Sequence, residues 1–151
     1  MSMSAYPLLL RAPGKSLLMT LLCVVLSNTA HAAENSMFQM LAADSATLDA
    51  YRWNKRPVII FAPSQQDAKY LEQVRMLKQQ QPALEERDII VLTDTSPDTK
   101  STLRSQLQPE GFEIVLVGKD GGIKLRETSP ISAEVLLSTI DRMPMRKAGQ
   151  D

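Results

Sequence analysis

One continuous apolar run followed at once by a helix start constrains the fold of this chain more than any other feature. The run covers residues 57–62 and is rich in β-branched side chains. Such a run is typical of a strand covered on both faces, and therefore of a central strand. Pro63 follows, and Ser64 with Asp67 then matches the Ser/Thr-x-x-Asp/Glu pattern of a capping box. The sequence therefore predicts a buried strand that runs directly into a capped helix.

The pattern after Asp67 predicts a helix and then a second buried strand. Apolar residues recur at helical spacing until Pro82, which ends the helix. Residues 84–87 are predicted as a polar connector, and residues 89–92 form a second fully apolar run. Strand, helix and strand in this order are the signature of a βαβ unit with two parallel strands.

The rest of the chain predicts a second helix, a β-hairpin and a last helix. The glycines of residues 118–122 supply the positive φ angles that hairpin turns need. Ile123 and Leu125 then alternate with Lys124 and Arg126, as in a half-exposed edge strand. The predicted elements are a weak helix from Pro97 or Asp98, a strand at 112–117, the edge strand at 123–126, and a helix after Ser132 with Val135, Leu136 and Ile140 on one face. The order β-α-β-α-β-β-α predicts an α/β fold with a mixed four-stranded sheet and helices on both faces.

Residues 1–32 have the pattern of a secretory signal peptide. A basic segment with Arg11 and Lys15 precedes an apolar run that is too short to span a bilayer. Ala30-His31-Ala32 provides a small-x-small cleavage site. We expect export to the periplasm or the extracellular space, with no membrane attachment after cleavage. The predicted parts of the remaining chain are an N-terminal arm at 33–50, a domain at 51–145 that Trp53 anchors in its core, and a flexible tail at 146–151.

Export would remove the chain's one cysteine, Cys23, and its one histidine, His31. The exported part would then hold no thiolate nucleophile, disulfide, Cys/His zinc site or histidine base. The full chain has 17 Lys and Arg against 17 Asp and Glu, and loss of Arg11 and Lys15 leaves a slight acidic excess. This balance does not favour nucleic-acid binding. We expect no catalytic residue, no metal and no cofactor.

Several short segments together resemble one protein family. They are Tyr51-Arg52-Trp53, Arg56-Pro57 followed by Phe61-Ala62-Pro63, Glu86-Arg87-Asp88, Gly118-Lys119-Asp120-Gly121-Gly122-Ile123-Lys124, and Met143-Pro144-Met145-Arg146. Their order and spacing, over about residues 48–147, resemble the thioredoxin-like domain of unknown function 4174, shared by bacterial secreted proteins and vertebrate extracellular proteins of the sushi-repeat type. The resemblance implies a thioredoxin-like fold and a secreted setting, and it implies no activity. Because the vertebrate members resemble matrix and adhesion proteins, it favours a binding role.

The chain departs from redox-active thioredoxins and peroxiredoxins at their active-site position. Phe61-Ala62-Pro63 resembles the peroxiredoxin lead-in to that position, but residues 64–70 contain no cysteine. The proline that usually faces the active site, just before the third strand, is also missing, since residues 111–113 are Gly, Phe and Glu. Thiol–disulfide exchange needs a thiolate, so we expect a domain without redox chemistry.

Two groups of residues are candidate ligand-binding sites. The first lies at the predicted helix start, where helix N-termini bind anions at the carboxyl ends of central strands, and consists of Ser64, Gln66 and Asp67. The second could form a basic patch for an anionic glycan or lipid head, and consists of Lys119, Lys124 and Arg126. Helix capping and a plain hairpin turn are the simpler interpretations of the two groups.

The sequence therefore predicts a secreted binding or accessory module whose partner is another extracytoplasmic protein. Two alternatives stay open at this point. One is an enzyme of non-thiol chemistry that uses Ser64 and Asp67 at the helix N-terminus. The other is an anion or glycan binder that uses the lysines of the hairpin.

Overall fold

A five-stranded mixed sheet organises the chain, in the strand order β1-β3-β2-β4-β5. The structure is a computed structural model, and it describes residues 36–42 and 47–149. The strands are β1 (Phe38–Met40), β2 (Arg56–Phe61), β3 (Ile89–Asp94), β4 (Glu113–Val117) and β5 (Ile123–Glu127). The helices are α1 (Ala68–Gln79), α2 (Gln81–Glu85), α3 (Thr102–Leu107), α4 (Ala133–Asp141) and α5 (Pro144–Lys147), with 3-10 turns at Asp49–Tyr51 and Pro97–Thr99.

Strand β2 lies at the centre of the sheet, as its sequence predicts. All of its residues are buried, because β3 pairs with it in parallel on one side and β4 pairs with it antiparallel on the other. Its side chains alternate between the two faces, with Val58 and Ile60 in one core and Ile59 and Phe61 in the other. A continuous apolar run is needed here because helices cover both faces.

The two faces of the sheet carry cores of different size. The larger core includes Leu77 of α1, Leu84 of α2 and Leu136 of α4 packed on the sheet. The smaller core is covered by α3 through Leu103, and Leu48 and Tyr51 pack at its border. The prediction of a mixed sheet with helices on both faces is therefore confirmed.

The predicted strand count of four is wrong, because a fifth strand lies at the edge. Phe38–Met40 pairs in parallel with β3, with Phe38 opposite Val91 and Met40 opposite Thr93. The sequence predicts only an N-terminal arm at 33–50 for this segment. Three residues are too few to show the two-residue period of a strand, so pairing with β3 and not local pattern decides the structure here.

Three smaller predictions on the helices also fail. The connector predicted at 84–87 overlaps α2, where Leu84 is buried. Val135 lies on the exposed side of α4, whereas Leu136 and Ile140 are buried as predicted. The segment predicted as a flexible tail from position 146 begins within α5, which extends to Lys147.

The alternation predicted for the edge strand is interrupted by a β-bulge. Leu116 pairs with Leu125, but the next residue, Val117, pairs with Ile123, so Lys124 is an extra residue in β5. An extra residue shifts the side-chain alternation. Ile123 is consequently 50% exposed, and Leu125 alone packs on the larger core.

The predicted signal peptide at 1–32 lies outside the described residues, as do residues 33–35 and 43–46 of the predicted arm. Within residues 36–42 and 47–149, no helix has both the length and the apolar character needed to cross a bilayer.

Replacement of Leu116 by alanine should lower the free energy of unfolding by about 2–5 kcal/mol, because it leaves a cavity between the sheet and the helices of the larger core. Val135→Ala is the matched control, since Val135 is 41% exposed, and should stay within about 0.5 kcal/mol of wild type. Urea unfolding followed by circular dichroism measures both. Equal effects of the two substitutions would contradict the packing described here.

Candidate functional site

The helix start after β2 is built differently from the predicted capping box. Helix α1 begins at Ala68, and the Asp67 carboxylate accepts the Tyr70 N–H at 2.9 Å as its N-cap. The Ser64 hydroxyl accepts the Gln66 N–H at 3.3 Å within the preceding turn. The capping-box interpretation of Ser64 is therefore wrong, because the turn delays the helix start by three residues. The Ser64 hydroxyl and the Asp67 carboxylate thus accept hydrogen bonds from the nearby N–H groups of Gln66 and Tyr70.

Beside this turn, three side chains form a row across the carboxyl end of β2. Phe61 pairs with Asp94 of β3 on one side and with Glu113 of β4 on the other. Asp94 and Glu113 are buried in the sheet beside the Phe61 ring. We call these three residues the acidic row. Two carboxylates in so apolar a position need cationic partners, because an unpaired buried charge is strongly destabilising.

Arg104 of α3 is the partner of Asp94. Its Nε donates to Asp94 Oδ2 at 3.2 Å, and its Nη2 donates to Oδ1 and to the Asp94 carbonyl oxygen at 3.0 Å each. The buried Ser101 hydroxyl donates to Oδ2 at 2.7 Å and also accepts the Arg104 N–H at the start of α3. The guanidinium lies 5.2 Å from the centre of the Phe61 ring, a cation–π distance. Arg104 thus ties α3 to two strands.

The pKa of Asp94 reflects these contacts. Burial favours the neutral acid and by itself raises the pKa, but the hydrogen bonds from Arg104 and Ser101 act in the opposite direction and outweigh it, so the pKa lies below its ordinary value. The folded protein therefore holds this carboxylate ionised, and stability from it is lost as the pH falls through that lowered pKa.

Arg126 of β5 is the partner of Glu113. Its Nε lies 2.6 Å from Glu113 Oε1, and its Nη2 donates to the Leu107 carbonyl oxygen at the end of α3. Arg126 therefore points to the carboxyl end of β2, whereas Lys119 lies in the hairpin at the other end of β4. The structure does not bring Arg126 together with the two lysines, so the predicted basic patch is divided.

Each of the two hairpin lysines lies against a carboxylate. Lys119 is only 5% exposed, and its Nζ donates to Asp88 Oδ2 at 2.8 Å. Lys124 Nζ donates to Asp120 Oδ2 at 2.7 Å. The hydrogen bond from Lys124, with help from the Gly122 N–H, holds the pKa of Asp120 below its ordinary value.

A second ion-paired group lies at the amino end of β2. Arg87 donates to both oxygens of Asp141, at 2.8 and 3.0 Å. This pair raises the pKa of Arg87 and lowers the pKa of Asp141. The buried Arg56 donates to the Arg87 carbonyl oxygen at 2.9 Å, and Arg146 reaches Glu86 at 2.9 Å. The pairs fasten α4 and α5 to the loop before β3.

The prediction that Trp53 anchors the core of the domain is wrong. Its side chain is 63% exposed, and its φ of +66° lies in the left-handed region, where a bulky residue is an outlier. The Trp53 N–H donates to the Lys119 carbonyl oxygen at 2.8 Å. The backbone therefore turns the ring outward beside the hairpin.

A family model described as "Domain of unknown function (DUF4174)" matches residues 47–149, which include both ends of β2. The chain belongs to this family. A relative, the sushi repeat-containing protein SRPX of Rattus norvegicus, is 29% identical over 120 residues, covering 68% of this chain and 26% of the relative. The chain thus spans about a quarter of the length of that relative.

Solved structures establish the fold class of this DUF4174 domain. A reduced 2-Cys peroxiredoxin of Plasmodium vivax superimposes with a TM-score of 0.54 at 14% identity, over 67% of this chain and 84% of that one. Thioredoxin peroxidase I of Plasmodium yoelii gives 0.54 at 16% identity, over 69% and 81%. At such identities the likeness shows the thioredoxin-like fold alone.

The DUF4174 domain shows no prepared metal site within its described residues, where no three Cys, His, Asp or Glu side chains are grouped for one ion. The one cysteine and the one histidine of the chain, Cys23 and His31, lie outside the described residues. The charged groups that lie close together in the described part of the domain are carboxylates, guanidinium groups and lysine ammonium groups.

Sequence reasoning missed the acidic row and the partners of its two carboxylates. The apolar run predicted as the second strand ends at Leu92, so Asp94 lay outside the predicted strand, and Arg104 lies ten positions further along in a short helix. The available signal was positional: Asp94 and Glu113 both border an apolar run, where a carboxylate needs a partner.

Two alanine substitutions test which residue caps α1. One replaces Asp67, the N-cap, and the other replaces Ser64, in the turn before it. Asp67→Ala should lower the free energy of unfolding by about 1 kcal/mol, because the Tyr70 N–H loses its acceptor. Ser64→Ala should change it by less than about 0.5 kcal/mol. Urea unfolding at pH 7 measures both, and a larger loss with Ser64→Ala would restore the capping box.

Proposed function

We propose that this DUF4174 domain is an exported, non-redox binding module whose partner is another extracytoplasmic protein. The observation that carries the proposal is the state of the carboxyl end of β2, where thiol enzymes of this fold place their cysteines. There, Ser64 closes a turn, Asp67 caps α1, and Asp94 binds Arg104. A nucleophile needs a base beside it, and none of these groups is arranged in that way.

Export is supported by two separate observations. Residues 1–32 have the basic, apolar and small-x-small pattern of a signal peptide. The matched relative is named as a sushi repeat-containing protein, which agrees with the extracellular setting implied by the sequence resemblance. In that relative the matched part is 26% of the chain, so the domain there accompanies other segments, as a binding module does.

A surface around the hairpin is the best candidate for the contact with a partner. We call Arg52, Trp53 and Ile123 the hairpin surface. Ile123 is half exposed, and it lines one groove of about 240 Å³ together with Arg52 and Gly121. Trp and Arg are the residues most enriched among those that dominate binding energy at protein interfaces.

Hydrogen bonds join Arg52 and Trp53 of the hairpin surface to the hairpin. Arg52 donates to the Asp120 carbonyl oxygen at 3.2 Å, and the next residue, Trp53, is hydrogen-bonded to Lys119. A left-handed backbone at such a residue costs about 1–3 kcal/mol and persists only where its surroundings enforce it. A backbone held in this way loses little conformational entropy when a partner covers it.

The two alternatives find less support. Ser64 would have to leave its turn to act as a nucleophile, and the enzyme proposal has no base to offer it. A glycan binder at the hairpin would have to compete for Lys124 with Asp120 and for Arg126 with Glu113.

The test of the proposal has two arms. In the first, the exported protein is assayed for insulin reduction and for peroxide consumption, and both rates should equal those of buffer, because a thiolate is required for either reaction. Turnover above buffer would contradict the non-redox part.

In the second arm, wild type, Trp53→Gly and Val135→Ala are cross-linked to proteins of the extracytoplasmic fraction. Glycine removes the ring and relieves the strain of the positive φ, so Trp53→Gly should be at least as stable as wild type yet lose a cross-linked partner. Val135→Ala, which trims another exposed apolar residue, should retain that partner. Equal capture by all three, or capture by none, would reject the hairpin surface as the contact.

A further inference from the structure

Strand β1 forms one edge of the sheet, at the other end of the strand order from the hairpin of β4 and β5. It pairs with β3 on its inner side, and no described strand pairs with its outer side. The Met37 carbonyl oxygen accepts the Val91 N–H, and the Leu41 N–H donates to the Thr93 carbonyl oxygen. Backbone groups alternate in direction along a strand. The intervening N–H and C=O groups of β1 therefore point away from the sheet.

These outward groups belong to Phe38 and Met40. The Ser36 hydroxyl accepts the Phe38 N–H at 3.3 Å, so this donor is already used. Within the described residues, the Phe38 carbonyl oxygen and both backbone groups of Met40 are left for another strand. The Met40 side chain is 72% exposed. An extended segment could therefore pair here through backbone hydrogen bonds.

The β1 edge lacks the protection that the opposite edge has. Residues 36–42 contain no charged residue, no proline and no glycine. Strand β5 carries Lys124, Arg126 and Glu127, and its pairing with β4 is interrupted by the bulge. Charged side chains and bulges on edge strands prevent pairing with other chains. The domain therefore blocks one edge of its sheet and leaves the other open.

Helix α1 lies over the same face of the sheet as Phe38. The Lys78 Nζ lies 5.6 Å from the centre of the Phe38 ring. Lys78 also lines an open groove of about 440 Å³ on α1, together with Leu71 and Arg75. Side chains alternate between the faces of a strand, so Met40 lies on the same face as Phe38. A strand added to β1 would thus run beside this groove.

The groove on α1 combines apolar surface with positive charge. Leu71 is 54% exposed. Arg75 and Lys78 are exposed as well, and the described residues place no carboxylate within salt-bridge distance of either one. Glu72, the one acidic residue of α1, does not line the groove. Acidic side chains on an added strand would complement this charge.

The same charge disfavours a second copy of this chain as the added strand. Two copies paired edge to edge about a two-fold axis would place their α1 helices side by side on one face. Arg75 and Lys78 of each copy would then approach the like charges of the other copy, which is unfavourable at a contact. A strand with acidic side chains avoids this repulsion.

We propose that β1 binds an extended acidic segment of another protein as a sixth strand of the sheet. Backbone hydrogen bonds to Phe38 and Met40 supply affinity, and the groove on α1 selects acidic over basic side chains. The β1 edge shares no residue with the hairpin surface. Failure of either contact in its own test therefore leaves the other standing.

Two fluorescein-labelled heptapeptides test the proposal on the folded, exported protein. One alternates glutamate with valine, and the other alternates lysine with valine. Fluorescence anisotropy should show saturable binding of the glutamate peptide and at least about tenfold weaker binding of the lysine peptide. NMR of protein with ¹³C-methyl-labelled methionine should show a shift of the Met40 signal. No binding, equal binding of the two peptides, or binding without a Met40 shift would overturn the proposal.

Substitutions at Met40 test the backbone pairing. Met40→Pro removes only an N–H that points outward, and proline is tolerated on edge strands in this position. It should weaken binding of the glutamate peptide about tenfold, the effect of losing one hydrogen bond. Met40→Leu keeps the N–H and should bind as wild type does. An unchanged Met37 methyl signal shows that β1 stays in place. Equal affinities of the two variants would contradict the proposal.

Substitutions of two arginines test the charge selection without changing β1. Arg75→Gln should weaken binding of the glutamate peptide about threefold, as expected for one exposed ion pair. Arg142→Gln removes an exposed cation at the end of α4 and should leave the affinity unchanged. Equal effects of the two substitutions would overturn the role of the groove.

Sedimentation velocity separates the acidic segment from a second copy as the added strand. We expect wild type and Met40→Pro to sediment alike, as monomers. A wild-type dimer that Met40→Pro dissociates would assign the β1 edge to a second copy of the chain and overturn the proposal.

Discussion

The buried ion pair between Asp94 and Arg104 is the interaction on which the carboxyl end of the sheet depends. It connects β3 and β2 to α3, and it neutralises a carboxylate that the apolar sheet could not otherwise hold. On the other side of Phe61, Arg126 does the same for Glu113 and reaches the end of α3. Charge pairs and a phenyl ring therefore occupy the region beside the junction at which other thioredoxin-like proteins carry their thiol chemistry.

A different set of ion pairs lies at the amino end of β2. The two ends of the central strand therefore differ in which charged residues hold the surrounding elements. Arg87 and Asp141 fasten α4 there, and Asp88 holds Lys119 under the hairpin. The carboxyl end is closed by its own ion pairs, whereas the amino end keeps a small cavity beside Arg56 and Met143. We accordingly place the proposed protein contact around the hairpin and not at the thiol position.

The sequence predicts the centre of this fold well because the central elements depend on local patterns of apolar residues and turn glycines. Strand β2 and its two neighbours are apolar runs, and the hairpin glycine Gly121 has the positive φ of +83° that the turn needs. Strand β1 and the exposure of Ile123 could not be predicted, because three-residue pairing and a bulge are set by neighbouring strands. The candidate site depends even more on distant residues: Phe61, Asp94, Glu113 and their arginines meet only in the folded sheet, and the exposed position of Trp53 follows from a backbone angle.

A double-mutant cycle on Asp94 and Arg104 tests the central claim most directly. The free energies of unfolding of wild type, Asp94→Ala, Arg104→Ala and the double variant are measured in urea at pH 7. If this pair holds the carboxyl end of the sheet together, either single substitution strands a charge, and the coupling energy should exceed about 1 kcal/mol. Effects that add to within about 0.5 kcal/mol would show that the two residues act independently and would contradict the account.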